Sequence, residues 1–213
     1  MIYITGDCHG NFARFNPSIF PEQNEMTKED YVIICGDFGG VWHREVESKE
    51  ETMVLDWLDS RPFTTLFVCG NHENFDRLYQ YPIENWHGGK VHKIRKSVIH
   101  LMRGQVFNID GKKIFSFGGA SSHDIQGGIL EPDDPEFEKS YALLSRGGLP
   151  FRINHWSWWK QELPSDEEME EGRQNLERHN YEVDFIVTHC CSVSTQALLG
   201  HGLYSRDYLN VYL

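Results

Sequence analysis

The sequence predicts an α/β protein. Three apolar runs rich in Val, Ile and Phe have the length of buried strands, and each ends at a Gly followed by a polar residue. They are spaced by about 30 residues, which is the length of a strand–helix–strand unit. A fourth apolar run ends in a polar cluster near the C-terminus. The four runs are IYITGDCHG at 2–10, VIICGDFGG at 32–40, LFVCGNHENF at 66–75 and VDFIVTHCC at 183–191.

Helices are expected between these runs. Residues 45–58 place their late apolar positions at helical spacing, and Pro62 follows closely enough to end the helix. A short helix is expected over 74–80. Farther along, Ser165 is followed three residues later by Glu168, which is the pattern of a capping box at a helix start. Strands and helices therefore alternate along the chain.

The middle of the chain has a different pattern. Residues 91–120 alternate between apolar and polar side chains and contain an Asp110-Gly111 dipeptide, which is typical of a hairpin turn. Residues 121–150 contain two Gly-Gly pairs and a PDDP sequence. We expect them to form an irregular loop excursion near the mouth of the site, with a disordered loop as the alternative. Residues 1–213 as a whole are expected to form a single domain.

Composition narrows the class of function. The chain has 213 residues, with 39% hydrophobic, 32 acidic and 20 basic residues, giving a net charge of −12. Such an acidic chain is not expected to bind a long nucleic acid or an anionic membrane, although bound cations would permit a phosphate substrate. No stretch reaches the roughly 20 apolar residues of a membrane span. Five cysteines without scaffold-like spacing, and a first strand with no leader before it, predict a cytoplasmic protein.

Polar side chains at the strand ends form a candidate site. In open α/β sheets, ligands bind at the carboxyl ends of the strands. Oxygen and imidazole groups together suit two divalent ions of the Mn, Fe or Zn type. Asp37 is the natural bridging ligand, because the glycines around it leave space. Two such ions can hold a bridging hydroxide and clamp a phosphoryl group for in-line attack. The candidate residues are Asp7, His9, Asp37, Asn71, His72 and His189.

Each of these residues also has an ordinary structural explanation. Asp, Asn and Gly favour turns, so any one of them alone would indicate only a loop. Asp7 and His9 are two residues apart, and an extended backbone would point both at one ion. The recurrence of the pattern at successive strand ends favours a functional site.

The order of the motifs adds a resemblance. GDCHG at 6–10, GD at 36–37, GNHE at 70–73 and TH at 188–189 resemble the calcineurin-like metallophosphoesterase superfamily, and in particular its bacterial single-domain members. The resemblance implies a four-layer α/β/β/α sandwich with two mixed sheets. It also implies a metal-dependent phosphoesterase that hydrolyses a small phosphorylated substrate, either a phosphomonoester or a phosphodiester.

The resemblance implies a role for each motif residue. Asp7 and His9 would bind a first metal, Asn71 and His189 a second, and Asp37 would bridge the two ions and take part in catalysis. His72 would be the other catalytic residue and would assist the leaving group. Glu73 would orient the imidazole of His72 from behind.

Two motifs of the superfamily have no counterpart. The terminal G-H-x-H motif is absent, and because the sequence ends at Leu213 we expect a C-terminally shortened chain. GDFGG also differs from the GDxxDRG of serine/threonine protein phosphatases, so their phosphate-gripping arginine is missing. Arg146 and Arg152 are candidates to replace it, on charge alone.

Three functions therefore remain open. The first is a dinuclear phosphoesterase, and the second is a catalytically weak or inactive binding module on the same fold. The third is a nuclease of the same superfamily, which the acidic composition disfavours for a long chain but not for a dinucleotide. Intact motifs favour the enzyme, since a binding scaffold does not need a proton donor at His72.

Overall fold

A computed structural model describes residues 1–202 and 207–213. No helix in these ranges combines the length and apolar character needed to cross a membrane. The strands are β1 (Ile2–Thr5), β2 (Tyr31–Cys35), β3 (Thr64–Val68), β4 (Ile83–Trp86), β5 (Gly89–Arg95), β6 (Val98–Leu101), β7 (Gln105–Ile109), β8 (Lys112–Phe117), β9 (Ile129–Leu130), β10 (Arg152–Ile153) and β11 (Phe185–Thr188). The α-helices are α1 (Lys49–Asp59), α2 (Phe75–Leu78), α3 (Phe137–Gly147), α4 (Asp166–Arg178), α5 (Val193–Leu199) and α6 (Tyr208–Tyr212).

Two mixed sheets form the centre of the fold. The larger has six strands in the order β1-β2-β3-β6-β5-β4, with the first four parallel and the last two antiparallel to their neighbours. The smaller has the order β11-β8-β7, with β11 parallel and β7 antiparallel to β8. A separate parallel pair joins β9 to β10. The mixed character predicted for both main sheets is confirmed.

The two main sheets pack face to face. Ile33 of β2 and Leu66 of β3 lie in one buried cluster with Phe107 of β7 and Ile114 of β8. Side chains from both sheets therefore interdigitate, as in other sandwiches, and water is excluded between them. This cluster holds the ends of β2 and β11 close together, although they belong to different sheets.

Helices cover both outer faces. On the far side of the larger sheet, Ile34 packs in a cluster with Leu55 of α1. On the far side of the smaller sheet, Phe117 packs with Met169 of α4 and Leu209 of α6. The order is helix, sheet, sheet, helix, so the four-layer α/β/β/α architecture is confirmed.

Local signals set several boundaries. Helix α1 begins after Ser48, whose Oγ accepts a hydrogen bond from the backbone N–H of Glu51, and the Glu51 side chain completes a capping box. The helix thus starts later than the predicted residue 45. The capping box predicted at Ser165 is present at the start of α4. Asp110 and Gly111 both have positive φ and connect β7 to β8, as a tight hairpin turn requires.

Residues 121–150 are more regular than the sequence predicts. They include the 11-residue helix α3, which is capped after its last residue by Gly148 with a φ of +72°, and the short strand β9. The PDDP and Gly-Gly sequences that suggested a loop lie at the two ends of α3 and act as its boundaries. Helix α3 buries none of its residues. The expectation of an irregular excursion is therefore wrong for this helix.

Candidate active site

Asp37 lies at the centre of the candidate site. It follows β2, is 3% exposed and has a φ of +47°. Its Oδ2 lies 3.4 Å from His9 Nε2, and its Oδ1 lies 3.5 Å from His189 Nε2. The two oxygens of one carboxylate thus face imidazoles from two different sheets. Such an arrangement suits a carboxylate shared between two cations.

Asp7 and His9 approach Asp37 through a turn. Strand β1 ends at Thr5, and His9 has a φ of +48°. The backbone N–H groups of Cys8 and His9 both donate to the carbonyl oxygen of Asp37, at 3.0 and 2.8 Å. An extended Asp-x-His segment, considered from the sequence, is therefore wrong. The turn still brings one potential ligand atom each from Asp7, His9 and Asp37 within 4.8 Å of one another.

His189 follows β11 and closes the other side of Asp37. Its Nδ1 lies 2.7 Å from the carbonyl oxygen of Cys35. Because a carbonyl only accepts, Nδ1 carries a proton; the neutral ring therefore has its lone pair on Nε2, and the charged ring donates from Nε2 to Asp37. Burial lowers the pKa of His189, but the hydrogen bond and charge of Asp37 outweigh it and raise that pKa. A ring held in this tautomer is a typical metal ligand.

Two glycines are required by the closeness of these groups. A Cβ at Gly36 would lie 2.3 Å from the His189 ring, and one at Gly70 would lie 2.0 Å from Asp37 Oδ1. Both distances are far below van der Waals contact, so a side chain at either position would displace a candidate ligand. Sterics therefore require glycine at positions 36 and 70, directly before Asp37 and Asn71.

Asn71 and His72 enter the site from the loop after β3. The backbone N–H of His72 donates to Asp37 Oδ1 at 2.9 Å. The Asn71 side chain donates from Nδ2 to Ser122 Oγ at 3.3 Å. Ser122 in turn donates to the carboxylate of Glu162 at 2.6 Å. The position of Asn71 therefore depends on residues more than 50 positions away.

The imidazole of His72 faces a cavity of about 280 Å³ lined by His9, Gly39, Trp42 and His72. The ring centroids of Trp42 and His72 lie 6.4 Å apart. Burial lowers the pKa of His72; the Asp37 carboxylate opposes that shift and Arg152 adds to it. This cavity has room for a phosphoryl group beside the Asp37 cluster.

Glu73 contacts backbone amides and not the His72 imidazole. It is 1% exposed, and its carboxylate accepts hydrogen bonds from the N–H groups of Phe38, Gly39 and Gly70 at 2.8, 3.3 and 3.5 Å. Burial raises the pKa of Glu73 to about 8. The structure thus places Glu73 under the loop that carries Asp37, whereas the resemblance implied that it orients His72.

Sequence reasoning missed four residues that the structure brings to the site. They lie outside the strand-end motifs and reach it through the segment that follows β8 or through the loop before α1. Glu162 offered one signal, because a single acid in a Trp-rich apolar stretch is expected to be buried and hydrogen-bonded. The four residues are Trp42, Ser122, Asp124 and Glu162.

Comparison with known proteins agrees with this geometry. The family model described as calcineurin-like phosphoesterase matches residues 1–204. The fold and the site thus define the metallophosphoesterase class of α/β proteins. The chain belongs to the calcineurin-like phosphoesterase family.

Individual relatives are more distant. The chain is 26% identical over 144 residues to lariat debranching enzyme A of Xenopus laevis, and 27% identical over 154 residues to the lariat debranching enzyme of Danio rerio. The aligned parts cover 61% and 65% of this chain. They cover 26% of each relative, so the chain spans about a quarter of their length. No solved structure matches the chain.

Proposed function

We propose that the chain hydrolyses a phosphodiester with the help of two divalent ions of the Mn, Fe or Zn type. The observation that carries this proposal is the placement of Asp37, whose two oxygens face His9 and His189 from opposite sides. The donor set of carboxylate, amide and imidazole groups fits such ions. When bound, the ions would polarise the ester and activate the attacking water.

The chain's own residues would divide into two ligand sets around Asp37. Asp7 and His9 would hold the first ion, in support of which they form a compact group with Asp37. Asn71 and His189 would hold the second ion. The fixed tautomer of His189 supports this role, because the neutral ring has its lone pair on Nε2, the nitrogen that lies next to Asp37.

His72 would act on the substrate and not on the metals. Its ring lines the cavity, while its backbone N–H is held by Asp37 Oδ1. From there Nε2 could donate a proton to the leaving oxygen. The pKa of His72 is lowered by burial, and a bound phosphate would raise it again by adding negative charge.

A diester is favoured over a monoester by the relatives. Lariat debranching enzymes, as their name says, open a branched chain, and this supports a substrate with groups on both sides of the phosphate. The same name is a reason to keep short nucleic acids among the candidate substrates. The net charge of −12 still disfavours a long phosphate-tracking groove. The proposed substrate is therefore a short diester such as a dinucleotide.

The test is hydrolysis of bis-p-nitrophenyl phosphate compared with p-nitrophenyl phosphate, after chelation and again after readdition of Mn²⁺. We expect turnover only with metal, faster turnover of the diester, and a loss of about 100-fold or more in Asp37→Asn. The exposed Asp133→Asn is the matched control and should behave as wild type. A folded protein that binds Mn²⁺ but hydrolyses neither ester would favour the binding module instead.

A further inference from the structure

Arg152 lies at the mouth of the candidate site. It sits on β10, its side chain is 19% exposed, and its Nη2 lies 3.5 Å from His72 Nε2. Arg146, the other arginine considered from the sequence, is exposed on α3. Of these two arginines, Arg152 is therefore the one from which a group bound beside His72 can be reached.

The pairing of Arg152 leaves part of its guanidinium free. Its Nε donates to Asp124 Oδ1 at 3.1 Å, and its Nη2 contacts Asp124 Oδ2. In the parts of the chain that the structure describes, Nη1 has no hydrogen-bond partner. A guanidinium has five N–H donors, so this side-on pair leaves donors available to a ligand.

The position of Arg152 relative to His72 defines a place for an acceptor. Arg152 Nη2 and His72 Nε2 lie 3.5 Å apart at the cavity, and both nitrogens can donate a hydrogen bond to an anion bound beside them. An oxygen that accepts a hydrogen bond from His72 Nε2 also lies within reach of Arg152 Nη2. Phosphoryl oxygens are the acceptors that guanidinium groups bind most strongly, together with carboxylates.

The segment after β8 builds this position. The backbone N–H of Arg152 donates to the carbonyl oxygen of Gly128 at 3.2 Å, through the pairing of β10 with β9. Asp124 comes from the same segment and holds the side chain. Both the arginine and its partner are thus delivered by residues that carry no strand-end motif.

We propose that Arg152 binds a non-bridging phosphoryl oxygen of the substrate, and that Asp124 keeps its guanidinium in place beside His72. This proposal rests on the proposed phosphoesterase function and assigns a substrate contact within it. It gives the guanidinium one carboxylate partner and one phosphate partner at the same time.

The test is the affinity of the Mn²⁺-loaded protein for inorganic phosphate, measured by calorimetry together with bound Mn²⁺. We expect Arg152→Gln to bind phosphate about 10-fold or more weakly, because a charge-assisted hydrogen bond is lost. Arg146→Gln is the matched control and should equal wild type. Asp124→Asn should bind phosphate at least as tightly as wild type, because the asparagine oxygen still accepts from Arg152 Nε and a competing negative charge is removed.

Each other result would overturn a specific statement. Phosphate binding by Arg152→Gln within twofold of Arg146→Gln, at equal Mn²⁺ content, would overturn the Arg152 contact and leave the proposed function intact. Equal weakening in Asp124→Asn, which keeps both the arginine and an oxygen that accepts from it, and in Arg152→Gln would show that the charged pair acts through the local structure, and would also overturn the contact. Failure of the wild type to bind Mn²⁺ would overturn the proposed function itself.

Discussion

Ser122 Oγ lies 2.6 Å from Glu162 Oε2, and the Ser122 backbone N–H donates to Glu162 Oε1 at 2.9 Å. Because the carboxylate accepts both hydrogen bonds, the Ser122 hydroxyl proton points at Glu162. The Oγ lone pairs are then left for Asn71 Nδ2, which lies 3.3 Å away. The direction of this chain of hydrogen bonds fixes the Asn71 amide, with its oxygen turned away from Ser122.

Reversing that direction should weaken the proposed second metal site. In Glu162→Gln, the oxygen is retained by the Ser122 N–H, so the new NH₂ faces Ser122 Oγ and donates to it. The Ser122 hydroxyl proton then has no acceptor at residue 162 and turns towards Asn71, where it favours the flipped amide, so we expect about 10-fold weaker binding of the second Mn²⁺. Equilibrium dialysis with metal analysis measures this, with the exposed Glu167→Gln as control. If Glu162→Gln bound two Mn²⁺ with wild-type affinity, Asn71 would not depend on the hydrogen bonds from Ser122 to Glu162.

Glu73 should be important for stability. Its buried carboxylate accepts hydrogen bonds from three backbone N–H groups, and Glu73→Ala would leave them unsatisfied. We expect the free energy of unfolding to fall by about 2–4 kcal/mol. Urea unfolding measures the change, and Glu138→Ala on the exposed face of α3 should change it by less than about 0.5 kcal/mol. Similar stability of the two variants would show that the Asp37 loop does not depend on Glu73.

Metal should stabilise the fold through Asp37. An ion that binds only the folded chain adds about 2.7 kcal/mol at 100 times its dissociation constant, which corresponds to roughly 5–10 °C in melting temperature. Thermal melting with and without Mn²⁺ tests this. We expect most of the shift to disappear in Asp37→Asn, whereas Asp133→Asn should retain it. A full Mn²⁺ shift in Asp37→Asn would place the ion elsewhere.

A buried histidine pair should make the fold sensitive to acid. The Nδ1 atoms of His92 and His100 lie 3.0 Å apart, and both residues are 2% exposed. Burial lowers the pKa of His92, and burial together with the neighbouring His92 lowers the pKa of His100 well below its usual value. Because the unfolded chain then binds more protons, stability is present above pH about 6.5 and is lost as the pH falls below it.

Removing one member of the pair tests this directly. For each pH unit below the unfolded pKa, His100 alone contributes a loss of about 1.4 kcal/mol. We therefore expect His100→Gln to lose less stability than wild type between pH 7.5 and 5.5, as measured by urea unfolding. The exposed His123→Gln should follow the wild-type profile. Parallel profiles for wild type and His100→Gln would rule the pair out as the cause.

The alternation of strands and helices, and the hairpin that follows it, could be predicted from the sequence because they depend on local patterns. Buried runs such as 32–35 and 66–69 read as strands, and the turn at Asp110-Gly111 identified a hairpin. The four-layer arrangement came from the resemblance. Helix α3 was missed because its boundary residues are the same ones that mark loops.

The site was predictable only in part, for a different reason. Asp37 and His189 lie at strand ends, and strand order alone brings such ends together. The contact of Arg152 with His72 joins residues 80 positions apart and depends on the path of an entire excursion. By charge alone, Arg146 and Arg152 were equal candidates for binding phosphate. The three-dimensional structure distinguishes them, because it places Arg152 beside His72.

The outer strands of the two main sheets have a consequence for the behaviour of the protein in solution. β1 and β11 are edge strands, and Ile4 and Ile186 on them are 58% and 61% exposed. An apolar edge of this kind is a template for pairing with another chain. The net charge of −12 keeps copies apart by repulsion that salt screens within about 10 Å at 0.1 M. Light scattering should therefore show self-association that rises with ionic strength, and Ile186→Lys should suppress it.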